Sequence, residues 1–246
     1  MGEVRPGESG IEISVVIPAY NEEESIGACL DEVLRVMNGA GKPYEIVVVD
    51  DGSTDRTRAV LKERKESLPE LVIVGFESNC GQSAAFDAGF KSARGAVVVT
   101  MDADLQNDPE DIPKLVELTG EWDMVCGWRE TRHDSLVRRI SSRIANGVRN
   151  ALTGESIRDV GCSIRAMRAE CLRGLKLYRG MHRFLPTLVR LDGWSVTEVP
   201  VGHRPRRWGR TKYGIGNRLF RALRDLVAVR WMRSRWLNYT VEERIE

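Results

Sequence analysis

With 246 residues, 42% of them hydrophobic and 30% charged, and a formal net charge of +1, the chain can bury the core of one large domain and is neither a disordered tail nor a globally basic nucleic-acid binder. No run approaches the ~18 apolar residues of a spanning helix, so a membrane is expected to be touched and not crossed. The near-neutral balance hides an asymmetry, because residues 204–235 hold eleven basic residues and a single acid, Asp225.

Residues 1–10 are polar and contain glycine, which predicts a flexible start without an export signal. Residues 13–18 read as a short apolar strand, followed by Ala19, Tyr20, Asn21 and three glutamates. Residues 25–36 have helical spacing in Ile26, Leu30, Val33 and Leu34, with the acids assigned to the first turn. A second strand, 44–49, ends in Asp50, Asp51, Gly52, Ser53, Thr54 and Asp55, where Ser53 or Thr54 is expected to cap a helix running toward Ser67. A third strand covers 71–76, and a small-residue helix covers 81–93. Helices at 109–118, 136–152, 181–189 and 215–236 and strands at 123–126, 161–167 and 195–199 complete the reading. Alternating strands and helices predict an α/β fold with a mainly parallel sheet covered on both faces. In the last helix Leu219, Phe220, Leu223, Leu226, Val227 and Trp231 are assigned to one side. That side would lie in lipid headgroups or pack on the domain or on a second subunit.

The five cysteines, Cys29, Cys80, Cys126, Cys162 and Cys171, have neither paired nor zinc-type spacing and are expected to be reduced thiols in or near the core of a cytoplasmic protein. His133, His182 and His203 are isolated and read as surface or satisfied polar residues.

The chemistry concentrates in residues 96–106. Val97, Val98, Val99 and Thr100 form a buried strand that ends in Asp102 and Asp104, and Pro109 stops any regular continuation. Ligands of open α/β sheets collect at such strand exits. Two close carboxylates repel unless a cation lies between them, and Mg²⁺ or Mn²⁺ suits oxygen donors. A solvated loop is the plainer alternative. No Gly-x-Gly-x-x-Gly turn and no phosphate-binding Gly-x-x-x-x-Gly-Lys motif is present, so the acids Glu22, Asp50 and Asp51 at the first strand ends would meet ribose and base donors instead. Asp50 and Asp55 are assigned to structure, Glu22 and Asp51 to ligand.

Val-Val-Ile-Pro-Ala-Tyr-Asn-Glu at 15–22, Val-Val-Val-Asp-Asp-Gly-Ser-Thr-Asp at 47–55 and Met-Asp-Ala-Asp-Leu-Gln at 101–106, in that order, resemble the family 2 glycosyltransferases of the GT-A fold. Within them the likeness is to the branch of dolichol-phosphate mannose synthases and bacterial polyprenyl-phosphate glycosyltransferases. It covers roughly residues 13–213, more loosely after Asp159, and implies a GT-A domain over 11–213 followed by a C-terminal helix and tail over 214–246.

By this resemblance Pro18, Tyr20, Glu22, Val49 and Asp51 would line the nucleoside pocket, with Asp102 and Ala103 beside the nucleotide. Asp102, Asp104 and Gln106 would hold Mg²⁺ or Mn²⁺, and Arg129 would lie near the phosphates. Arg206 and Lys212 match cations used on the donor diphosphate, and Arg138 and Ser142, four apart on a helix, match the acceptor-phosphate grip. The implied partners are a GDP- or UDP-linked sugar, a dolichyl or undecaprenyl phosphate, a membrane surface and either a membrane-anchoring subunit or a second copy of the chain.

A lipid phosphate is already anionic near neutral pH and needs positioning more than proton abstraction. The Gln-x-x-Arg-Trp signature of processive members is missing, since Arg207-Trp208 is preceded by Arg204 and Arg230-Trp231 by Val227. Inverting in-line attack is implied. Two departures are plain: Asp159-Val160-Gly161-Cys162-Ser163-Ile164 stands where the branch often has Asp-x-x-Ser-Gly-Phe, and no transmembrane helix is found. Two other functions fit the same motifs. One is transfer to a hydroxyl acceptor with Asp123, Glu130 or Asp134 as base, and the other is a non-catalytic nucleotide-binding or membrane-adaptor subunit.

Overall fold

The computed structural model describes residues 10–130, 147, 157–205, 216–237 and 243. Arg138, Ser142, Arg206, Lys212, His133, Asp134 and nearly all of the expected 136–152 helix lie outside the described residues.

A seven-stranded sheet has the order β3-β2-β1-β4-β6-β5-β7, built from β1 (Ile13–Ala19), β2 (Tyr44–Asp50), β3 (Leu71–Gly75), β4 (Val97–Thr100), β5 (Met124–Arg129), β6 (Arg165–Arg168) and β7 (Val196–Val201). Runs of valine and isoleucine make β1, β2 and β4, whose branched side chains pack on both faces of a sheet. β1 runs parallel to β2 with Ile13 opposite Tyr44 and Ala19 opposite Asp50, and parallel to β4 with Val16 opposite Thr100. The carboxyl ends of the three strands therefore emerge together. β6 is reversed, pairing antiparallel with both β4 and β5. Among the described strands it is the exception to the mainly parallel sheet. Because it enters where its neighbours leave, residues 159–164 share the edge reached by Asp102.

One face of the sheet is covered by α1 (Ile26–Ala40), α2 (Thr57–Lys65) and α4 (Ile112–Leu118), whose Ile26, Leu30, Leu61 and Leu115 bury against Val15, Ile17 and Val48. The other face carries α3 (Gln82–Ser92) and α5 (Leu185–Leu191). The small residues of α3 allow close approach: a Cβ on Gly89 would overlap the Val16 side chain. The C-terminal helix α6 (Gly216–Ser234) packs Leu226 and Val229 on Met181, Phe184 and Leu188.

Several local expectations change. The glutamates at 22–24 precede α1 and are not in its first turn. Neither Ser53 nor Thr54 caps α2; Asp55 accepts from the Thr57 backbone N–H at 2.9 Å, while Ser53 Oγ accepts from the Asn21 N–H at 3.0 Å. The 109–118 helix begins as one 3-10 turn, Pro109–Asp111. On α6 the apolar residues divide: Leu226 and Val229 are buried, whereas Val227 and Trp231 are 66% and 64% exposed. Four cysteines are buried, and Cys80 is exposed. Burial pushes the Cys126 thiol up to about 12 and Cys162 to about 11, which keeps both as protonated core groups.

Candidate active site

Two laced turns build the β1 and β2 side of the sheet edge. Asn21, in the left-handed region at φ 52°, accepts the Thr54 N–H on its Oδ1 at 2.8 Å, and the Glu22 N–H donates to Thr57 Oγ1 at 2.8 Å. Gly52 is required at φ 67°, where a Cβ would overlap the Ser78 backbone. Asp50, fully buried, pairs with Arg58, and its Oδ1 accepts the Ser53 N–H at 3.0 Å. Asp51 accepts from the Cys80 N–H at 2.7 Å, the Gly81 N–H at 2.9 Å and Asn79 Nδ2 at 3.0 Å. Burial raises the Asp51 carboxyl above its ordinary range against the lowering effect of those amides. The Glu22 carboxylate accepts the Ser25 hydroxyl at 2.9 Å. Val49 is fully buried between the sheet and α3, and Ala103 is 3% exposed in the opposite core. Those two side chains belong to the core, so any ligand contact at these positions would come from the main chain.

The aspartate turn follows β4. Leu105 holds φ 61°, a conformation that costs a non-glycine residue and turns the chain sharply between Asp104 and Gln106. The Asp102 N–H donates to Asn107 Oδ1 at 3.0 Å, and the same oxygen accepts Ser163 Oγ at 2.8 Å. Gln82 Nε2, in the first turn of α3, donates to Asp102 Oδ1 at 3.0 Å. Asp104 is 7% exposed and its Oδ1 accepts the Gln106 N–H at 3.2 Å. Burial first, and then the field of Asp104, Glu32, Asp102 and Glu22, drives the Cys29 thiol far up, which records how negative this edge is. Among the described residues no three His, Cys, Asp or Glu side chains converge as a metal cage. Two carboxylates, the Gln106 amide and a negative field are a hard-oxygen donor set that fits Mg²⁺ or Mn²⁺ completed by ligand phosphate and water.

The chain returning from β7 crosses this turn. Asn107 and His203 form a β-bridge, the Arg204 N–H donates to Gln106 O at 2.9 Å, and Arg204 pairs with Glu32 at 2.5 Å and Asp108 at 2.7 Å. His203 is not isolated, since its Nε2 lies 3.5 Å from Gln106 Nε2. His182 is likewise engaged, with its Nδ1 2.7 Å from Ser83 Oγ. Burial lowers its pKa to about 3, so the ring is neutral near pH 7.

Arg129, at the end of β5, forms a two-point pair with Asp159, Nε to Oδ2 at 2.7 Å and Nη2 to Oδ1 at 3.0 Å. Asp123 lies at the other end of β5, bound to Ser195 Oγ at 2.6 Å, away from the aspartate turn. The sequence reading missed Gln82, Asn107 and His203. Asn107 follows the motif directly and Gln82 opens a helix at the strand edge, but each acts on a residue far away or through a turn that the strand pattern does not encode.

The profile described as "Glycosyl transferase family 2" matches residues 14–175, more than half of the chain. A dodecaprenyl-phosphate galacturonate synthase of Rhizobium johnstonii is 42% identical over 226 residues, covering 89% of this chain and 66% of that protein. An undecaprenyl-phosphate 4-deoxy-4-formamido-L-arabinose transferase of Edwardsiella ictaluri is 40% identical over 217 residues, covering 87% and 66%. The chain thus spans just under two thirds of the length of these relatives. Among solved structures, glucosyl-3-phosphoglycerate synthase of Mycobacterium tuberculosis, in complex with Mn²⁺, UDP and phosphoglyceric acid, superposes with a TM-score of 0.70 at 24% identity over 94% of this chain and 81% of that one. That likeness carries the fold, and the mixed sheet agrees with the GT-A architecture expected from the motifs. With the three motifs gathered on one sheet edge and the family profile spanning them, the chain belongs to glycosyl transferase family 2.

Proposed function

We propose that this protein transfers a sugar, with inversion, from a nucleoside-diphosphate sugar to a polyprenyl phosphate. The observation that carries the reading is the alignment of the β1, β2 and β4 exits, which puts Asp102 and Asp104 beside the turns holding Glu22 and Asp51. The relatives' names supply the acceptor class. In this reading the nucleoside lies along Pro18, Tyr20, Glu22 and Asp51, and the diphosphate lies toward the aspartate turn. Asp102, Asp104 and Gln106 would hold the divalent ion, which when bound offsets the charge of the departing diphosphate.

The chain's own residues do the positioning. Gln82 and Asn107 fix the side chain and backbone of Asp102, and Arg204 fastens the return strand across the turn. Arg206 and Lys212 would face the diphosphate, and Arg138 and Ser142 the acceptor phosphate. An acceptor phosphate oxygen attacks the anomeric carbon, the bond from that carbon to the diphosphate oxygen breaks, and the nucleoside diphosphate leaves. No proton need be removed from the nucleophile, which frees Arg129 and Asp159 to remain paired as a wall of the site.

The test is a matrix of GDP- and UDP-sugars, Mg²⁺ or Mn²⁺, and short polyprenyl phosphates, scored by lipid-extractable radioactive product. Product is expected with one donor and a divalent ion, none after chelation, and none from Asp104→Asn at an unchanged melting temperature. Sugar moving to a hydroxyl acceptor but not to polyprenyl phosphate would sink the proposal, as would undiminished turnover by Asp104→Asn.

A further inference from the structure

Helix α6 has two apolar ridges of different fate. Leu226 and Val229 face Met181, Phe184 and Leu188, whereas Val227 and Trp231, four apart and so one above the other, project outward. Arg224 lies three residues before Val227 and Arg235 four after Trp231, Arg230 flanks the ridge, and all three are exposed, whereas Arg233 continues the side of Leu226 and Val229. The acid of this segment, Asp225, is turned the other way: its carboxylate lies against Gly180, where a Cβ would overlap it. The outer face therefore presents an aromatic and an aliphatic side chain among three cations, and Leu237 just beyond the helix adds a side chain that is 80% exposed.

We infer that this face docks on an anionic lipid surface, with Trp231 and Val227 entering the headgroup region and the arginines meeting lipid phosphates. Charge complementarity selects the occupant. A second copy of the chain would bring the same cations against these, and a neutral apolar partner would leave them without counter-charge. The inference deepens the proposed function and rests on it for its purpose, since a polyprenyl phosphate is reached at a bilayer. It also places the contact close to the chemistry. Asp225 touches Gly180, the Gly180 N–H donates to Ser83 Oγ at 2.9 Å, and the neighbouring Gln82 holds Asp102. A docked α6 is thus three contacts from the motif carboxylate.

The experiment is co-sedimentation of the full chain with phosphatidylcholine vesicles, with and without phosphatidylglycerol and free of polyprenyl phosphate. Binding is expected on the anionic vesicles, weakened by salt, and reduced about tenfold or more by Val227→Glu with Trp231→Glu. Arg230→Glu with Arg235→Glu is a second variant on exposed positions and should lose about fivefold or more per arginine. Both variants should keep the wild-type melting temperature and wild-type transfer to a detergent-dispersed acceptor. Absence of vesicle binding by the wild type, unchanged binding by both variants, or light scattering that shows a dimer broken by the glutamates without vesicle binding would overturn the inference. Because the vesicles hold no acceptor, failure of the transferase reading would leave a positive result standing.

Discussion

Replacing Gln82 with alanine isolates one support of the aspartate turn. The amide donates to Asp102 Oδ1 at 3.0 Å from the first turn of α3, and both side chains are partly exposed. A hydrogen bond to a charged acceptor contributes about 1.5–3 kcal/mol when fully enclosed, and solvent access brings this one to about 1–1.5 kcal/mol. The carboxylate is then held in its productive rotamer about 5- to 10-fold less of the time. Because the loss falls on metal and donor binding, the Mn²⁺ concentration giving half-maximal transfer should rise by that factor while the melting temperature stays within about 2 °C. Gln82→Glu should be worse, since it sets a second negative charge beside Asp102 with no proton to share at neutral pH. The assay is initial-rate sugar transfer across a Mn²⁺ titration. An unchanged half-saturating concentration in Gln82→Ala, or a shift matched by loss of fold, would refute the reasoning.

Other expectations follow from the same geometry. Asp159→Asn removes the charge paired with Arg129, whose side chain is only 19% exposed, and should cost about 3 kcal/mol of stability in urea titration. Gly52→Ala forces a Cβ onto the Ser78 backbone at a positive φ and should lower the melting temperature by several degrees or prevent folding, whereas Gly41→Ala, at φ 64° with open space around it, should cost only about 1 kcal/mol. The His182 pKa, about 3 in the folded state and near 6.5 unfolded, means the unfolded chain takes up the proton first. Stability contributed by the neutral ring is present above pH 6.5 and is lost as pH falls toward 3, by about 4–5 kcal/mol in all. His182→Gln should flatten that part of the urea-midpoint profile relative to wild type. His203→Ala withdraws the ring beside Gln106 and should raise the Mn²⁺ requirement with little change in melting temperature.

Much of this could be read from the sequence for a definite reason. β1, β2 and β4 are short runs rich in valine and isoleucine that end in polar turns, a pattern that favours buried strands, and their common exit follows from parallel pairing. The strand β6, Arg-Ala-Met-Arg, carries no such pattern, and its reversal depends on which neighbours it joins, which is settled only in three dimensions. The same holds for α6: apolar residues at 226, 227, 229 and 231 offer two ridges, and packing on Met181 and Phe184 chooses between them. Asp102 and Asp104 were legible because they follow a valine strand and stand in order after the two earlier motifs. Gln82 and His203 were not, because a polar side chain becomes a partner only when folding brings it across 20 or 97 residues, and Asn107, five after Asp102, reaches it only through the turn at Leu105.

The reversed strand has a consequence for how specificity is distributed. β1, β2 and β3 carry the turns proposed to hold the nucleoside, and β5 and β7 lie on the far side of β6, with β6 joining the two groups through β4. Residues 157–164 thus form a wall anchored to β4 and the aspartate turn by Thr100 Oγ1 bonded to Ser163 O at 2.7 Å and Asn107 bonded to the Ser163 hydroxyl, and to β5 and β7 by Arg129 paired with Asp159 and Glu198 accepting the Arg158 N–H. A chimera that exchanges this wall with one from a relative while keeping Thr100, Asn107, Arg129, Asp159, Ser163 and Glu198 should inherit the donor nucleotide of one parent and the acceptor preference of the other.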